Sequence, residues 1–204
     1  MAETTKSKMV TGAAELLSQR GVNGTSMRDV VRYTDTPRGS IGHHFPRGKL
    51  QMIEEAVVFA GKQVSNPLKR LTEDHGAIAG LRQFIALWRE ILESSNFKAG
   101  CPVLAVSVEH FVGERDGEPD ESAQSGLLDI AHEVFSAWQN ILTIALRREG
   151  VSPARARRLA VLVIASTEGT VALCRAKRSS GPLEDVRQEL ELVLTEALNG
   201  THVA

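Results

Sequence analysis

Apolar residues recur along this chain at steps of three and four, and the strict alternation of a half-buried strand is nearly absent. The pattern predicts an all-α protein. A first helix is expected over Thr5–Arg20, where Met9, Val10, Ala13, Leu16 and Leu17 recur at helical steps around a stripe centred on Val10, Ala13 and Leu17, and Gly21 stops it. After the turn GVNGT, Ser26 with Asp29 three residues on is a capping-box variant. It opens a short helix whose inward face is Met27, Val30 and Val31 and which ends near Tyr33. Pro37 suits the first position of a third helix and Thr36 its N-cap, and Pro46 and Gly48 limit that helix to about two turns. A longer helix restarts near Lys49 on Met52, Ile53, Ala56, Val57 and Ala60. Others are indicated from Ile78 to Leu92, Val103 to Phe111, Leu127 to Arg148, Ala154 to Lys177 and Leu183 to Leu198, punctuated by Gly100, GVSP and SSGP.

Three short helices in the first 45 residues, joined by tight turns, describe a helix-turn-helix unit. We therefore divide the chain into a DNA-binding domain, residues 1–50, and a larger helical domain, residues 51–204, the candidate for ligand binding and, by the resemblance described below, for dimerisation. Charge supports the division. The net charge of −1 excludes a chain that coats nucleic acid or anionic membrane along its whole length. Residues 1–50 nevertheless hold eight cations against four anions, or +4, which leaves −5 for the rest. Between Gly113 and Gly126 five acids against Arg115 predict a mobile acidic loop. Cys101 and Cys174 form neither a disulfide framework nor a CxxC knuckle, which fits a reducing compartment. MAETTKSKMV has no apolar signal core and no run of about 18 apolar residues occurs, so the expectation is a cytoplasmic protein with no membrane partner.

The chemistry concentrates in TPRGSIGHHFPRGK, Thr36 to Lys49. In the third helix Ile41, with Phe45 beyond, can face the core, while Arg38, Ser40 and His43 face outward as donors to phosphates and base edges. Ser26 and Arg28 at the start of the second helix, and Thr36 and Pro37 at the entry to the third, complete the candidate DNA face. Lys49 opens the next helix, where its charge and the helix N-terminus both favour a phosphate. His43 and His44 point about 100° apart on a helix and have no third ligand at usable spacing, so no metal is expected. A Gly-rich phosphate loop, a nucleophile elbow, HExxH and a local Ser/His/Asp grouping are all missing. The chain reads as neither an enzyme nor a cofactor binder.

At these residues the chain resembles the TetR family of transcriptional repressors, whose recognition segment reads G-T-L-Y-x-H-F followed by a lysine. Here it reads GSIGHHF, Gly39 to Phe45. The continuation FPRGK, one residue longer than the common F-x-S-K, resembles the LmrA and YxaF branch. So do GCPVLAVSVE, Gly100 to Glu109, similar to G-C-P-x-A-A-V-A-L-E, and ASTEG, Ala165 to Gly169. Gly42 stands where the family usually has a tyrosine that reaches a phosphate. The resemblance implies that this contact is missing here.

In a chain with 4% aromatics, Phe84, Trp88, Phe111, Phe135 and Trp138 are candidate walls of a ligand cavity, with Leu104 and Val108, or simply core. Glu109 and Glu168 sit among apolar neighbours and are either salt-bridged to an arginine or polar anchors for a ligand. The resemblance implies a dimer in which the last two helices pack with their partners into a four-helix bundle. Leu159, Val163, Val171, Leu183, Val186, Leu190, Val193 and Leu194 supply apolar surface for it, and some of them are expected to close the monomer's own core. The reading is a homodimeric repressor on a double-stranded DNA operator, released by a small-molecule ligand. The rival is a helical adaptor that binds a protein partner through its acidic body and no DNA.

Overall fold

The computed structural model describes residues 4–112 and 120–200, and among these the chain is helical without a strand. The order is α1 (Thr5–Arg20), α2 (Met27–Thr34), a 3-10 turn over Arg38–Ser40 leading into α3 (Ile41–His44), α4 (Lys49–Ser94), α5 (Pro102–Val108), α6 (Glu121–Arg148), α7 (Pro153–Lys177) and α8 (Gly181–Asn199). The chain divides into two compact units, Met1–Lys62 with Cys101–Val134, and Gln63–Gly100 with Phe135–Ala204.

In the first unit α1 starts at Thr4, whose Oγ1 accepts from Ser7 N at 3.1 Å, and stops at Gly21 with φ 74°. Its buried face is Met9, Gly12, Ala13, Ala14, Leu16 and Leu17, so the core stripe lies slightly to one side of the expected one and Val10 is only half-buried. Gly12 sets the approach of α2: a Cβ there would stand 2.2 Å from Thr34 Cγ2. The Ser26/Asp29 capping box is complete, with Ser26 Oγ accepting from Asp29 N at 3.2 Å and Asp29 Oδ2 accepting from Ser26 N at 3.3 Å. Val30 and Val31 are buried, joined by Phe45, Met52, Ile53 and Ala56. Burying a phenylalanine such as Phe45 contributes about 1.5–3 kcal/mol.

Two expected helix starts are corrected. Pro37 is extended (φ −61°, ψ 127°) and precedes a 3-10 turn, and Thr36 does not cap it, because its Oγ1 pairs with Thr34 Oγ1 at 2.9 Å. Likewise α6 begins at Glu121, six residues before Leu127, because Asp120 Oδ1 accepts from Ala123 N at 3.0 Å. The last part of the expected acidic loop, from Glu121 to Gly126, is therefore helix, and residues 113–119 lie outside the described residues.

In the second unit α4 is interrupted at Gly76 (φ 80°, ψ 177°), and Glu149 Oε1 accepts from the next amide, Ala77 N, at 2.5 Å. α7 packs on α8. An ion-pair chain ties α4 to α8: Arg82 Nη2 lies 2.7 Å from Glu191 Oε2 and Arg89 Nη2 lies 2.8 Å from Glu184 Oε2, while Arg187 pairs with both acids. These pairs hold Glu184 down at about 2, chiefly through its hydrogen bond from Arg187. Among the described residues α7 alone is long and apolar enough to cross a membrane by length and composition, over a stretch of mean hydropathy 1.5 that is half buried. That is also the signature of a core helix with a second apolar face.

Candidate nucleic-acid interface

The geometry of this face starts at the end of α2. Asp35, left-handed at φ 48°, turns the chain while its N–H still bonds Val31 O. Ser40 Oγ then donates to Pro37 O at 2.7 Å, closing the 3-10 turn. Phe45 is buried at the far end and Ile41 is half-buried, so two apolar anchors leave the rest of α3 outward. Between α2 and this segment lies an open groove of about 830 Å³. It is lined by Met27, Arg28, Val31, Arg32, Asp35, Thr36, Arg38 and Ile41.

The structure sorts the cations of the first fifty residues. Lys6 pairs with Glu55 at 2.8 Å, Arg47 with Glu54 at 2.5 Å, and Arg32 with Asp29. Arg28 and Arg38 are exposed, and among the described residues neither enters an ion pair. A guanidinium without a protein partner beside an open groove is a ready donor to a phosphate or a guanine edge. His43 and Pro37 are exposed too, and Ser40 and Thr36 are half-buried at the same edge.

Two expected contacts stand differently. Ser26 is engaged in its own cap, and its hydroxyl donates to Asp29 Oδ2 at 2.6 Å. That bond holds the Asp29 carboxyl below its usual value, with partial burial opposing it. Lys49 is turned inward, 8% exposed, with Nζ 5.6 Å from the centroid of the Phe111 ring. A long aliphatic stem lets a lysine bury its body and set its charge on a ring face. Gly42 is exposed, and a Cβ built on it meets nothing within 4 Å.

The expected ligand residues fall in both units. Leu104, Val108 and Phe111 lie in the first, where Phe111 is buried and Val108 is 70% exposed. Phe84, Trp88, Trp138 and Glu168 are buried in the second, and Phe135 meets Trp138 edge to face at 5.3 Å. Of the expected dimer residues, Leu159, Val163, Val171, Leu183, Leu190 and Leu194 are buried within the chain itself, and Val186 and Val193 are half-buried. The apolar side chains that α7 and α8 leave exposed are Val161, Leu162, Leu173 and Leu192, which sequence reasoning passed over. The signal was present: Leu162, Ala165, Gly169, Ala172 and Leu173 repeat at steps of three and four on α7. Among the described residues Glu109 enters no ion pair, and its carboxylate accepts from the backbone of Val22 and Asn23.

Two family models match the chain: that of bacterial regulatory proteins of the tetR family over residues 10–56, and that of the C-terminal domain of LmrA/YxaF-like transcriptional regulators over residues 77–189. An HTH-type transcriptional regulator of Mycobacterium tuberculosis, Rv0196, is 35% identical over 193 residues, 95% of each chain. The HTH-type transcriptional regulator LmrA of Bacillus subtilis is 25% identical over 182 residues, 87% of this chain and 90% of its own. Among solved structures, a TetR transcriptional regulator from Legionella pneumophila superposes with a TM-score of 0.76 at 19% identity, over 94% of this chain and 98% of its own.

Proposed function

From the premise that this chain belongs to the TetR family of DNA-binding transcriptional regulators, and is no enzyme, we propose a cytoplasmic repressor that grips its operator as a homodimer and leaves it when a small molecule binds the C-terminal domain. The observation that carries the DNA-binding face is the unpaired, exposed Arg28 and Arg38 on an open groove, beside Ser40 and His43 and opposite the buried Phe45. Arg38 and His43 read base edges as donors, and Ser40, whose hydroxyl hydrogen goes to Pro37 O, reads them as an acceptor. Arg28 and Thr36 position the head on phosphates, and Pro37, which has no N–H to donate, offers only its exposed ring at the same edge. Lys49 stays on the Phe111 ring and supports the start of α4 from inside rather than touching DNA.

Dimerisation supplies the second head, because a two-fold pair must place its recognition helices about 34–36 Å apart to enter successive major grooves. The outer faces of α7 and α8 are the surface for it. Val161, Leu162, Leu173 and Leu192 are exposed around the small residues Ala165, Gly169 and Ala172, which explains a helix apolar on both sides. Buried Phe84, Trp88 and Trp138 of the second unit, with half-buried Phe135 edge to face on Trp138 and with Glu168, are the residues on which a small molecule acts. A ligand releases DNA only to the extent that it prefers the non-binding conformer.

Duplex binding measured against salt tests this reading. The regulator loses affinity steeply as salt rises, because each phosphate contact releases counterions. No binding even at low salt would favour the adaptor. Sedimentation tests the pairing: wild type runs as a dimer, and Leu162→Glu with Leu192→Glu runs as a folded monomer. A dimer that survives both changes would place the interface elsewhere.

A further inference from the structure

We infer that Glu109 is a positioning residue for DNA binding: residues 109–112 form a strap that holds the α1–α2 turn and the first residue of α4 in register. The inference rests on the DNA-binding reading above. α5 ends at Val108, and Glu109 continues extended (φ −100°, ψ 146°). Its Oε2 accepts from Val22 N at 3.0 Å and from Asn23 N at 3.3 Å. These amides follow Gly21, whose φ of 74° turns them toward the carboxylate. A Cβ at Gly21 would stand 2.0 Å from Glu109 Oε1, so the turn is shaped around that side chain. Successive backbone N–H groups in such a turn make a concavity for an anion, and here the anion is the protein's own.

Asn23 answers from the other side. Its Nδ2 donates to His110 O at 2.7 Å and its Oδ1 accepts from Val112 N at 3.2 Å. Between these contacts Phe111 lies under Lys49 Nζ. Its own amide donates to Gln124 Oε1 at 2.6 Å, which ties the strap to α6. Asn23 lies four residues before α2 and Lys49 opens α4, so the strap holds both flanks of the reading segment. It touches none of the outward donors.

The sign of the effect separates positioning from charge. Glu109 is an anion on the same unit as a face that must meet phosphates, so by electrostatics alone its removal tightens binding. As a positioning residue its removal weakens binding, because the head must then be ordered at the moment of association. The test uses the full chain and a duplex selected by the wild-type protein. Glu109→Ala and Glu109→Gln remove the same charge, and the glutamine keeps the length and one oxygen that can accept from Val22. We expect Glu109→Ala to bind about tenfold more weakly and Glu109→Gln to recover most of that loss. The preferred sequence and the slope of log affinity against log salt stay as in wild type, whereas a lost phosphate contact lowers that slope by about one. Hydrogen exchange at Val22 and Asn23 rises in Glu109→Ala. Equal or tighter binding by folded Glu109→Ala overturns the inference, as does equal weakening by both variants or a reduced slope. If Glu109→Ala does not fold, Asn23→Ala must weaken binding at unchanged slope, and unchanged affinity there overturns it. Failure of the wild type to bind duplex DNA at low salt overturns the DNA-binding reading itself, and this inference with it.

Discussion

The two short helices of the head are held in opposite ways. α2 has a reciprocal cap at Ser26 and Asp29 and two fully engaged core residues in Val30 and Val31. α3 is four residues long, enters through a 3-10 turn, has no side-chain cap and buries none of its own residues. Its anchor, Phe45, lies just outside it. Local order is thus concentrated in the supporting helix, and the helix proposed to read DNA is left loosely determined, with Gly42 in its middle. Helices this short have little stability of their own, so α3 depends on what it packs against, including DNA.

The comparison is broken most sharply at Arg38. Arg38→Ala is expected to cost about 1–3 kcal/mol of binding and relax one position of the site, because it removes a donor that reads bases. Fluorescence anisotropy on matched and mismatched duplexes measures both, and an unchanged affinity would move the reading face elsewhere. Ser26→Ala strikes the supporting helix instead, costing about 1 kcal/mol of folding stability through the lost cap. Its denaturant midpoint falls while its preferred sequence stays the same.

Gly42 sharpens the comparison from the other side. Since a Cβ there meets nothing within 4 Å, no neighbour among the described residues explains the glycine. Gly42→Ala is expected to tighten DNA binding by up to about 1 kcal/mol by favouring helix. Gly42→Tyr tightens it further at unchanged sequence preference if the ring recovers a phosphate contact. Weakening by both changes would mean that DNA itself needs the space.

The smallest effect is on acid titration. Asp29 has its folded pKa lowered below 3.8 by the Ser26 hydroxyl. Its contribution is therefore full above that value and is lost as pH falls through the lower folded one. Amide exchange in α2 should accelerate across that acid window. In α3, which has no carboxylate at its start, exchange should not follow it.

What was legible in the sequence follows the same line. Gly21, the Ser26/Asp29 pair and the Thr5–Arg20 span of α1 act within a turn or two of themselves, and each is found where it was expected, with the buried stripe of α1 slightly displaced. Asp120 was hidden as a cap because it sits in a run of acids that reads as loop. The inward turn of Lys49 depends on Phe111, and the bonds of Glu109 depend on amides 86 and 87 residues away. No local pattern carries such pairings. On α7 both apolar stripes were visible, but periodicity cannot say which one faces the chain's own core. Six of the eight residues assigned to the dimer are buried within the chain itself, as was expected of some of them.

Selection from a randomised duplex library, run in parallel on wild type and on a variant with Arg38, Ser40 and His43 all changed to alanine, tests the central claim most directly. Wild type is expected to enrich a two-fold symmetric site whose half-sites are centred about one helical turn, or a multiple of it, apart. The variant, still folded, should keep only salt-sensitive binding without a preferred sequence. Enrichment of the same site by the variant at comparable affinity would contradict it.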